Sequence, residues 1–495
     1  MSGKPLKLTR RSFLAVSAAL ATRRAGAAPA PSSGAVEVVI VGAGAAGIAA
    51  ARRLAAAGRH YVMIEATDHV GGRCVTDTKS FGVPFDRGAH WIHLPDSNPV
   101  TKLTPASGID IYPAPQSQKV RIGLRYAREG ELEDFLTAQV RATRAIDEVA
   151  RKADIPCVQA MPPDLGDWRA TVDFVLGPYF CAKDLPQVSS FDFAHARERN
   201  AAAFCKQGFG TLLSALGQGL NVHLGTPATT IDTRSGITVE TPKGNIAART
   251  AIVTVPTNVV SSGGLRFNPE LGHHQIDAFG RMSLGSYDHI ALELRGNPLG
   301  LESDDLVFQK STDAHTAAML ANVAGTELCL IDVGGAFGHD LSAQGEPAMI
   351  DFAINWLAGL YGSEVKSAIG RKHATRWDAA PYARGAWSAA VPGSQFARRQ
   401  LLEPVADNVW YAGEAAHETL WGTVGGAWES GERAAEAVLH QIGPVKAAAP
   451  VEAEAKSKRK PLGGRAARHE PRREPHHESE PRYYGGVPSI IAPER

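Results

Sequence analysis

The spacing of apolar residues near the start of the chain predicts a strand, a helix and a second strand in succession. Residues 38–41 form a short β-branched run, which is typical of a buried strand in a parallel sheet. Residues 45–57 are mostly Ala, Leu, Ile and Arg, which favour a helix, and Gly58 follows where helices commonly end. The apolar run Tyr61–Ile64 predicts the second strand. This order of elements indicates an α/β protein with a parallel sheet.

Weaker versions of the same signals occur further along the chain. Residues 132–152 alternate charged and apolar positions at helical spacing, which predicts an amphipathic helix. Short apolar runs at 222–224, 237–239 and 251–255 predict strands. The last segment, 443–495, is rich in Ala, Pro, Glu, Lys and Arg and has few apolar residues. It cannot bury enough surface to offset the entropy of ordering, so we expect a disordered tail.

Composition and charge narrow the class of protein. Hydrophobic residues make up 44% of the chain and charged residues 21%, which is ordinary for a globular protein. Lys and Arg number 52 against 51 for Asp and Glu, so no global charge favours nucleic acid or an acidic membrane. Beyond the N-terminus, no apolar stretch is long enough to span a bilayer. We therefore expect neither a nucleic-acid partner nor stable membrane insertion, and nothing indicates an oligomeric state.

The N-terminus has the features of an export signal. Residues 9–14 read TRRSFL, a twin-arginine pattern, and a short, mildly apolar stretch follows at 14–21. The sequence AGA at 25–27 is typical of a cleavage site. Residues 1–30 are therefore predicted to be a signal peptide recognised by the twin-arginine machinery, which exports folded proteins to the periplasm. The alternative is a basic tail without a targeting role.

The turn after the first strand predicts a dinucleotide-binding site. Gly42, Gly44 and Gly47 form G-x-G-x-x-G between strand and helix. In such a unit the glycines allow a tight turn, close approach to a pyrophosphate and close packing of helix on strand. The helix N-terminus presents unpaired N–H groups to the phosphates. Glu65 ends the second strand, where a carboxylate can accept a hydrogen bond from a ribose hydroxyl.

The cysteines favour neither a disulfide framework nor a metal site. The chain has five, and the odd number leaves at least one thiol unpaired. They lack metal-ligand spacing, so no metal is expected. A pairing of Cys157 with Cys181 is conceivable, but we expect mostly buried free thiols.

Four later motifs share the pattern of one enzyme family. Residues 65–73 read EATDHVGGR, 85–93 read FDRGAHWIH, 409–414 read VWYAGE and 422–427 read GTVGGA. With the glycine turn they resemble the flavin-containing amine oxidase family, and most closely its polyamine and spermine oxidases. The resemblance implies a Rossmann-type FAD-binding domain interleaved with an α+β substrate domain.

The resemblance also implies domain boundaries and a set of cofactor contacts. The FAD-binding domain is expected at 36–100, 200–265 and 400–442, and the substrate domain at 101–199 and 266–399. The residues expected to bind FAD are Gly42, Gly44, Ala45, Ala46, Gly47, Glu65, Ala66, Gly72, Arg73, Gly88, Ala89, His90, Trp91, Ala228, Gly413, Glu414, Gly422, Thr423 and Val424.

Four residues are expected around the substrate, and one of them departs from the family pattern. The resemblance places Trp387 and Thr423 in the substrate cage and His93 beside the substrate amines. The family has a Lys that bonds through water to the flavin, and the spacing here puts His289 in its place, with Asp288 as the alternative register. A His can hold a water but is a weaker fixed cation, which predicts slower reoxidation by oxygen.

The resemblance implies oxidation of an amine by FAD, giving an imine and then an aldehyde while oxygen becomes hydrogen peroxide. A polyamine or another primary or secondary amine is the expected substrate. Ala386 stands where monoamine oxidases carry a flavin-linked Cys, so FAD is expected to bind noncovalently. One alternative is an L-amino-acid oxidase or tryptophan monooxygenase-like enzyme, in which Arg87 or Arg384 would bind the carboxylate. Another is a flavin dehydrogenase or flavin-binding protein with low turnover.

Overall fold

The structure is a computed structural model that describes residues 36–115, 117–196 and 201–444. The predicted signal peptide at 1–30 and all but the first two residues of the predicted tail at 443–495 lie outside the described residues.

The described residues form twenty strands and thirteen α-helices. The strands are β1 (Val36–Val41), β2 (Tyr61–Ile64), β3 (Thr76–Asp77), β4 (Phe85–Asp86), β5 (Ile92–His93), β6 (Ile111–Pro113), β7 (Gln118–Ile122), β8 (Arg125–Tyr126), β9 (Ala202–Cys205), β10 (Val222–His223), β11 (Thr230–Asp232), β12 (Ile237–Thr241), β13 (Gly244–Val253), β14 (Arg266–Asn268), β15 (Tyr287–Leu294), β16 (Asp305–Gln309), β17 (Ala318–Ala321), β18 (Leu328–Gly334), β19 (Ile369–Ala374) and β20 (Val409–Tyr411). The helices are α1 (Ala45–Ala56), α2 (Thr104–Ser107), α3 (Glu129–Ala150), α4 (Cys157–Ala160), α5 (Arg169–Phe174), α6 (Ser190–Ala194), α7 (Phe209–Leu216), α8 (Thr257–Ser261), α9 (His273–Arg281), α10 (Gly335–Gln344), α11 (Glu346–Tyr361), α12 (Ala397–Gln400) and α13 (Val424–Ile442).

The first large sheet contains the predicted strand–helix–strand unit. Its order is β10-β2-β1-β13-β12-β11-β14, with β20 also paired to β13. The pairs β10–β2, β2–β1, β1–β13, β13–β20 and β11–β14 are parallel, whereas the pairs β11–β12 and β12–β13 are antiparallel. Val38 and Ile40 pack into one core with α1 and α13, and Val39 and Val41 pack into another. Residues 38–41 of β1 are all apolar and buried because both faces of the sheet are covered there.

The second large sheet belongs to the middle of the chain. Its order is β19-β15-β18-β17-β16-β7-β8, and it is antiparallel except for the β16–β7 pair. All eight residues of β15 are buried. Helix α11 packs against this sheet, with Trp356 and Leu357 in the shared core.

Most predicted elements are present, with boundaries moved by local contacts. The amphipathic helix predicted at 132–152 is α3, which starts earlier because the Glu131 carboxylate accepts a hydrogen bond from the Arg128 N–H at 2.8 Å. The strand predicted at 251–255 is the end of the longer β13, whose first half pairs with β12. The prediction of buried thiols is confirmed: all five cysteines are buried and none is part of a disulfide, so Cys157 and Cys181 are not bridged.

The region around residues 153–196, which carries little periodicity, contains short helices and one π-helical turn at Val175–Tyr179. Pro178 lies inside this turn and has no N–H to donate, which favours a widened turn over a regular helix.

Across the described ranges, no helix combines the length and apolar character needed to cross a membrane.

Candidate active site

The glycine turn between β1 and α1 packs tightly at two positions and is open at the third. A Cβ on Gly42 would lie 2.4 Å from Thr254 Oγ1, and one on Gly47 would lie 2.0 Å from the Gly42 carbonyl oxygen. A Cβ on Gly44 would meet no protein atom closer than 4.0 Å. Gly47 therefore serves helix packing, whereas Gly44 leaves space that a ligand can occupy.

Glu65 ties the end of β2 to this turn. One carboxylate oxygen accepts a hydrogen bond from the Ala43 N–H at 2.8 Å, and the other accepts from the N–H and hydroxyl of Thr67, each at 2.8 Å. Each carboxylate oxygen has two lone pairs, so the oxygen bound to Ala43 can accept one more hydrogen bond. Glu65 can therefore hold the glycine turn and still bind a hydroxyl.

A single cavity of about 870 Å³ brings the predicted residues together. All of the predicted cofactor and substrate residues line it except Gly47. The lining residues predicted from the sequence are Gly42, Gly44, Ala45, Ala46, Glu65, Ala66, Gly72, Arg73, Gly88, Ala89, His90, Trp91, His93, Ala228, His289, Trp387, Gly413, Glu414, Gly422, Thr423 and Val424. They come from widely separated parts of the chain.

Two helices begin at this cavity, and their N-termini favour a negatively charged ligand. Gly44 precedes α1 and caps it without a side chain, and neither α1 nor α13 has an acidic residue in its first turn. Thr423 caps α13, because its hydroxyl accepts from the Gly426 N–H at 2.9 Å and donates to the Leu420 carbonyl at 2.6 Å. Free N–H groups and helix dipoles at α1 suit a pyrophosphate. The open cradle at Gly44 and these donors fit FAD.

The Glu414 carboxylate joins three segments around the cavity. It accepts hydrogen bonds from Arg73 at 3.0 Å, from the Ser388 hydroxyl at 2.7 Å and from the Gly422 N–H at 2.9 Å. Burial raises the pKa of Glu414, but Arg73 and the hydrogen bonds outweigh burial and hold that pKa below its ordinary value. Glu414 therefore stays ionised and keeps the loop containing Arg73 in place.

His289 lies between two acceptors, which engage both of its ring nitrogens. Its Nδ1 lies 2.5 Å from Asp332 Oδ1, and its Nε2 lies 2.9 Å from the Gly88 carbonyl oxygen. Each ring nitrogen needs a proton to donate to its acceptor, so the ring is an imidazolium. Burial opposes the charge, but the Asp332 carboxylate outweighs burial and raises the pKa of His289 to about 9.

The strand geometry brings His289, and not Asp288, to the cavity. Asp288 does not line the cavity; its carboxylate accepts hydrogen bonds from the Thr375 hydroxyl and the Trp377 N–H, each at 2.9 Å. Successive side chains of a strand point to opposite faces, so only His289 faces the site. Among the described residues that line the cavity there is no lysine. His289 is therefore a fixed positive charge in the cavity wall, in addition to the lining arginines Arg73 and Arg87.

Two other histidines predicted for the site lie in the wall of the cavity. His90 is buried, with Nδ1 2.9 Å from Asp86 Oδ2 and its ring centroid 4.4 Å from that of Phe204. His93 lies on β5, which pairs with β9. Both residues line the cavity. The ring of His90 is therefore fixed by Asp86 and Phe204.

An aromatic wall lines the cavity and was largely missed by the sequence analysis. It consists of Tyr179, Phe180, Tyr287, Phe308 and Trp387. The rings of Tyr287 and Trp387 lie 4.7 Å apart, and those of Tyr179 and Phe308 lie 5.1 Å apart. Only Trp387 was expected, because the other four lie on elements with no motif. The proline in the π-helical turn was the one local signal available.

One face of α3 also reaches the cavity. Gln139, Thr143 and Asp147 line it, and together they are called the α3 wall here. Their spacing of four residues places them on one side of the helix. The sequence analysis predicted an amphipathic helix here but did not identify these residues as part of a site.

Arg87 and Arg384, the two arginines that would bind the carboxylate of an amino-acid substrate, differ in position. Arg87 lines the cavity, and its carbonyl accepts a hydrogen bond from Trp377 Nε1 at 2.8 Å. Arg384 is exposed and does not line the cavity.

The described residues also contain no group of three or more His, Cys, Asp or Glu side chains placed to bind a metal.

Comparison with known proteins connects this geometry to a family. A family model for flavin-containing amine oxidoreductases matches residues 45–439. Polyamine oxidase 4 of Oryza sativa subsp. japonica is 25% identical over 439 residues, which cover 82% of this chain and 89% of the relative. Lysine-specific histone demethylase 1B of Mus musculus is 27% identical over 442 residues, which cover 81% of this chain and 52% of the relative.

A solved structure has the same fold. Cyclohexylamine oxidase from Brevibacterium oxydans IH-35A superimposes with a TM-score of 0.69 at 19% identity, covering 82% of this chain and 99% of that one. The predicted fold class, a Rossmann-type FAD-binding domain with a substrate domain, is thereby confirmed. Because the family model spans most of its length, the chain belongs to the flavin-containing amine oxidoreductase family, as its motifs predicted.

Proposed function

We propose that this enzyme oxidises a polyamine or a related aliphatic amine, holds FAD without a covalent bond, and works in the periplasm. The underlying activity, FAD-dependent oxidation of an amine, is that of the family. The chemistry that bound FAD would supply is the two-electron oxidation of the amine to an imine with reduction of oxygen to hydrogen peroxide; water then hydrolyses the imine to an aldehyde and releases ammonia or an amine.

The observation that carries this proposal is that one cavity contains both the FAD-binding residues and the aromatic wall. Trp387 packs against the glycine that precedes Thr423: a Cβ on Gly422 would lie 2.7 Å from the Trp387 ring. Apolar surroundings disfavour an ammonium, so they hold the reacting nitrogen neutral, the form that gives up electrons. The aromatic wall also excludes water from the reacting carbon.

The polyamine part of the proposal is supported by the curated relatives, several of which are named polyamine oxidases. It is tested by supplying purified holoenzyme in air with putrescine, spermidine, spermine and the monoamine butylamine, each separately. We expect one hydrogen peroxide for each aldehyde formed. Oxidation confined to amines without a second nitrogen would contradict the substrate class and leave amine oxidation intact.

Noncovalent binding of FAD is supported by the residues that line the cavity. Ala386 lines it and offers no nucleophile. Cys74 is the one thiol among the described lining residues, and it is buried, which raises the pKa of its thiol well above the ordinary value. A buried thiol with a raised pKa is unreactive.

Acid precipitation of the holoenzyme is therefore expected to release all of the yellow flavin into the supernatant. The measurement is the flavin absorbance of supernatant and redissolved pellet. Flavin that stays with the washed pellet would contradict noncovalent binding.

Export to the periplasm is supported by the twin-arginine pattern at residues 9–14. Replacing Arg10 and Arg11 together by Lys keeps the charge but removes the pattern, so the variant is expected to remain in the cytoplasm. The measurement is enzyme activity in periplasmic and cytoplasmic fractions. An unchanged distribution would contradict the proposed route.

A further inference from the structure

We propose that Asp147 binds a second ammonium group of the substrate, so that the α3 wall selects linear diamines and polyamines over monoamines. This inference rests on the proposed function, because it concerns the substrate of the same cavity. It goes further by assigning a residue to the part of the substrate that does not react.

The first argument is the placement of the α3 wall. Gln139 and Thr143 are 8% and 3% exposed, and Asp147 is half-buried. From Gln139 to Asp147 the helix rises about 12 Å at 1.5 Å per residue. A row of polar groups of this length matches an extended polyamine, whose nitrogen atoms are separated by short methylene chains.

The second argument is unmet hydrogen-bonding capacity beside this wall. Within the described ranges, the buried side-chain oxygen Oε1 of Gln139 has no hydrogen-bond partner, and neither has the buried Nε2 of Gln118, which also lines the cavity. Buried amide groups are normally satisfied, and each unpaired one costs free energy. A small rotation would let Gln139 Oε1 accept a hydrogen bond from an N–H of a bound amine, whereas Gln118 Nε2 could donate only to the lone pair of a neutral amine nitrogen.

The third argument is that Asp147 is a lining carboxylate to which no described side chain or backbone group donates a hydrogen bond. Three acidic residues line the cavity among the described residues: Glu65, Asp147 and Glu414. Glu65 and Glu414 accept the hydrogen bonds given above, whereas no described residue forms a hydrogen bond or ion pair with Asp147.

The charge around Asp147 is consistent with this role. Burial raises the pKa of Asp147, while Arg151 and His195 lower it. Pairing with an ammonium group would remove the cost of burying the charge, because charge-assisted hydrogen bonds favour the ionised carboxylate. The methylene groups between the nitrogens would pack against the apolar lining residues Val175, Leu176 and Phe193.

The test compares Asp147→Asn with a matched control on the same helix, Glu148→Gln, whose side chain is exposed. The substrates are putrescine and spermidine, which carry a second ammonium, and butylamine and pentylamine, which do not. Loss of one charge-assisted hydrogen bond predicts a fall in kcat/KM of about tenfold or more for putrescine and spermidine. Butylamine and pentylamine are expected to be oxidised by Asp147→Asn as by the wild type, and Glu148→Gln is expected to behave as the wild type with all four.

Two results would overturn the proposal. An equal fall for all four amines would mean that Asp147 is structural, and an unchanged kcat/KM for spermidine would mean that it does not bind the substrate. If the wild type oxidises no amine, calorimetric measurement of spermidine binding to the holoenzyme still shows whether Asp147 binds the ligand. Weaker binding to Asp147→Asn supports this subsite even though the proposed function fails, and equal binding overturns both.

Discussion

Replacing Gly44 by valine is expected to abolish FAD binding while the protein still folds. A Cβ at this position meets no protein atom within 4.0 Å, and the backbone there is extended with a negative φ, which suits a β-branched residue. The added side chain occupies the space that Gly44 leaves for the pyrophosphate. Every 1.4 kcal/mol of steric cost weakens binding about tenfold, so a clash of a few kcal/mol leaves the enzyme without flavin.

The matched control is Gly47→Val, three residues further on. There the Cβ would lie 2.0 Å from the Gly42 carbonyl oxygen, so helix α1 would be displaced from β1. This variant is expected to lose both stability and flavin. Thermal melting of the apoproteins and flavin content after purification separate the two effects. A Gly44→Val protein that retains its flavin would contradict the placement of the cofactor, and one that fails to fold would contradict the openness of this position.

The second prediction concerns the buried charge on His289. Replacing His289 by Gln removes the positive charge, and we expect reoxidation of the reduced flavin by oxygen to slow by about tenfold or more. A fixed charge in a dry site stabilises negative charge that develops during electron transfer, and about 1.4 kcal/mol corresponds to tenfold in rate. Stopped-flow mixing of the anaerobically reduced enzyme with oxygenated buffer measures this step alone.

The pH dependence of reoxidation and of stability follows from the raised pKa of His289. The pKa of His289 is raised from 6.5 to about 9, so the ring is charged in the folded enzyme below about pH 9. We expect reoxidation by the wild type to slow as the pH rises through about 9. The stability that His289 and Asp332 contribute is fully present below the unfolded pKa near 6.5 and is lost as the pH rises through about 9.

His289→Lys is the charge-preserving control. A lysine retains a cation but cannot contact both Asp332 and the Gly88 carbonyl with two ring nitrogens, so we expect reoxidation no faster than in the wild type. A Lys variant that reacts with oxygen much faster would mean that His289 is a weak substitute after all. That result would revive the low-turnover alternative.

The sequence predicted those parts of the fold that rest on local signals. The helix α1 ends within one residue of its predicted end, and β2 matches its prediction, because glycines and apolar runs mark these boundaries directly. The motif residues gather at one cavity because each lies at a turn or helix start with a characteristic local sequence. Gly47 is the exception, since its role is to let the helix approach the strand.

The features that the sequence did not predict depend on pairings between distant parts of the chain. His289 lies opposite Asp332 in the antiparallel β15–β18 ladder, 43 residues away, so its charge could not be inferred from the neighbouring sequence. Strand β15 is buried on both faces, which removes the alternation that would have distinguished Asp288 from His289. Helix α3 was predicted, but periodicity does not reveal that part of its polar face lines a cavity.

The most direct test of amine oxidation in this cavity is anaerobic mixing of the holoenzyme with separate panels of amines and L-amino acids. We expect the amines, and not the amino acids, to bleach the flavin absorbance. Admitting air is then expected to restore the absorbance and produce hydrogen peroxide. Bleaching by amino acids alone would contradict the account and favour an L-amino-acid oxidase that uses Arg87, which lines the cavity.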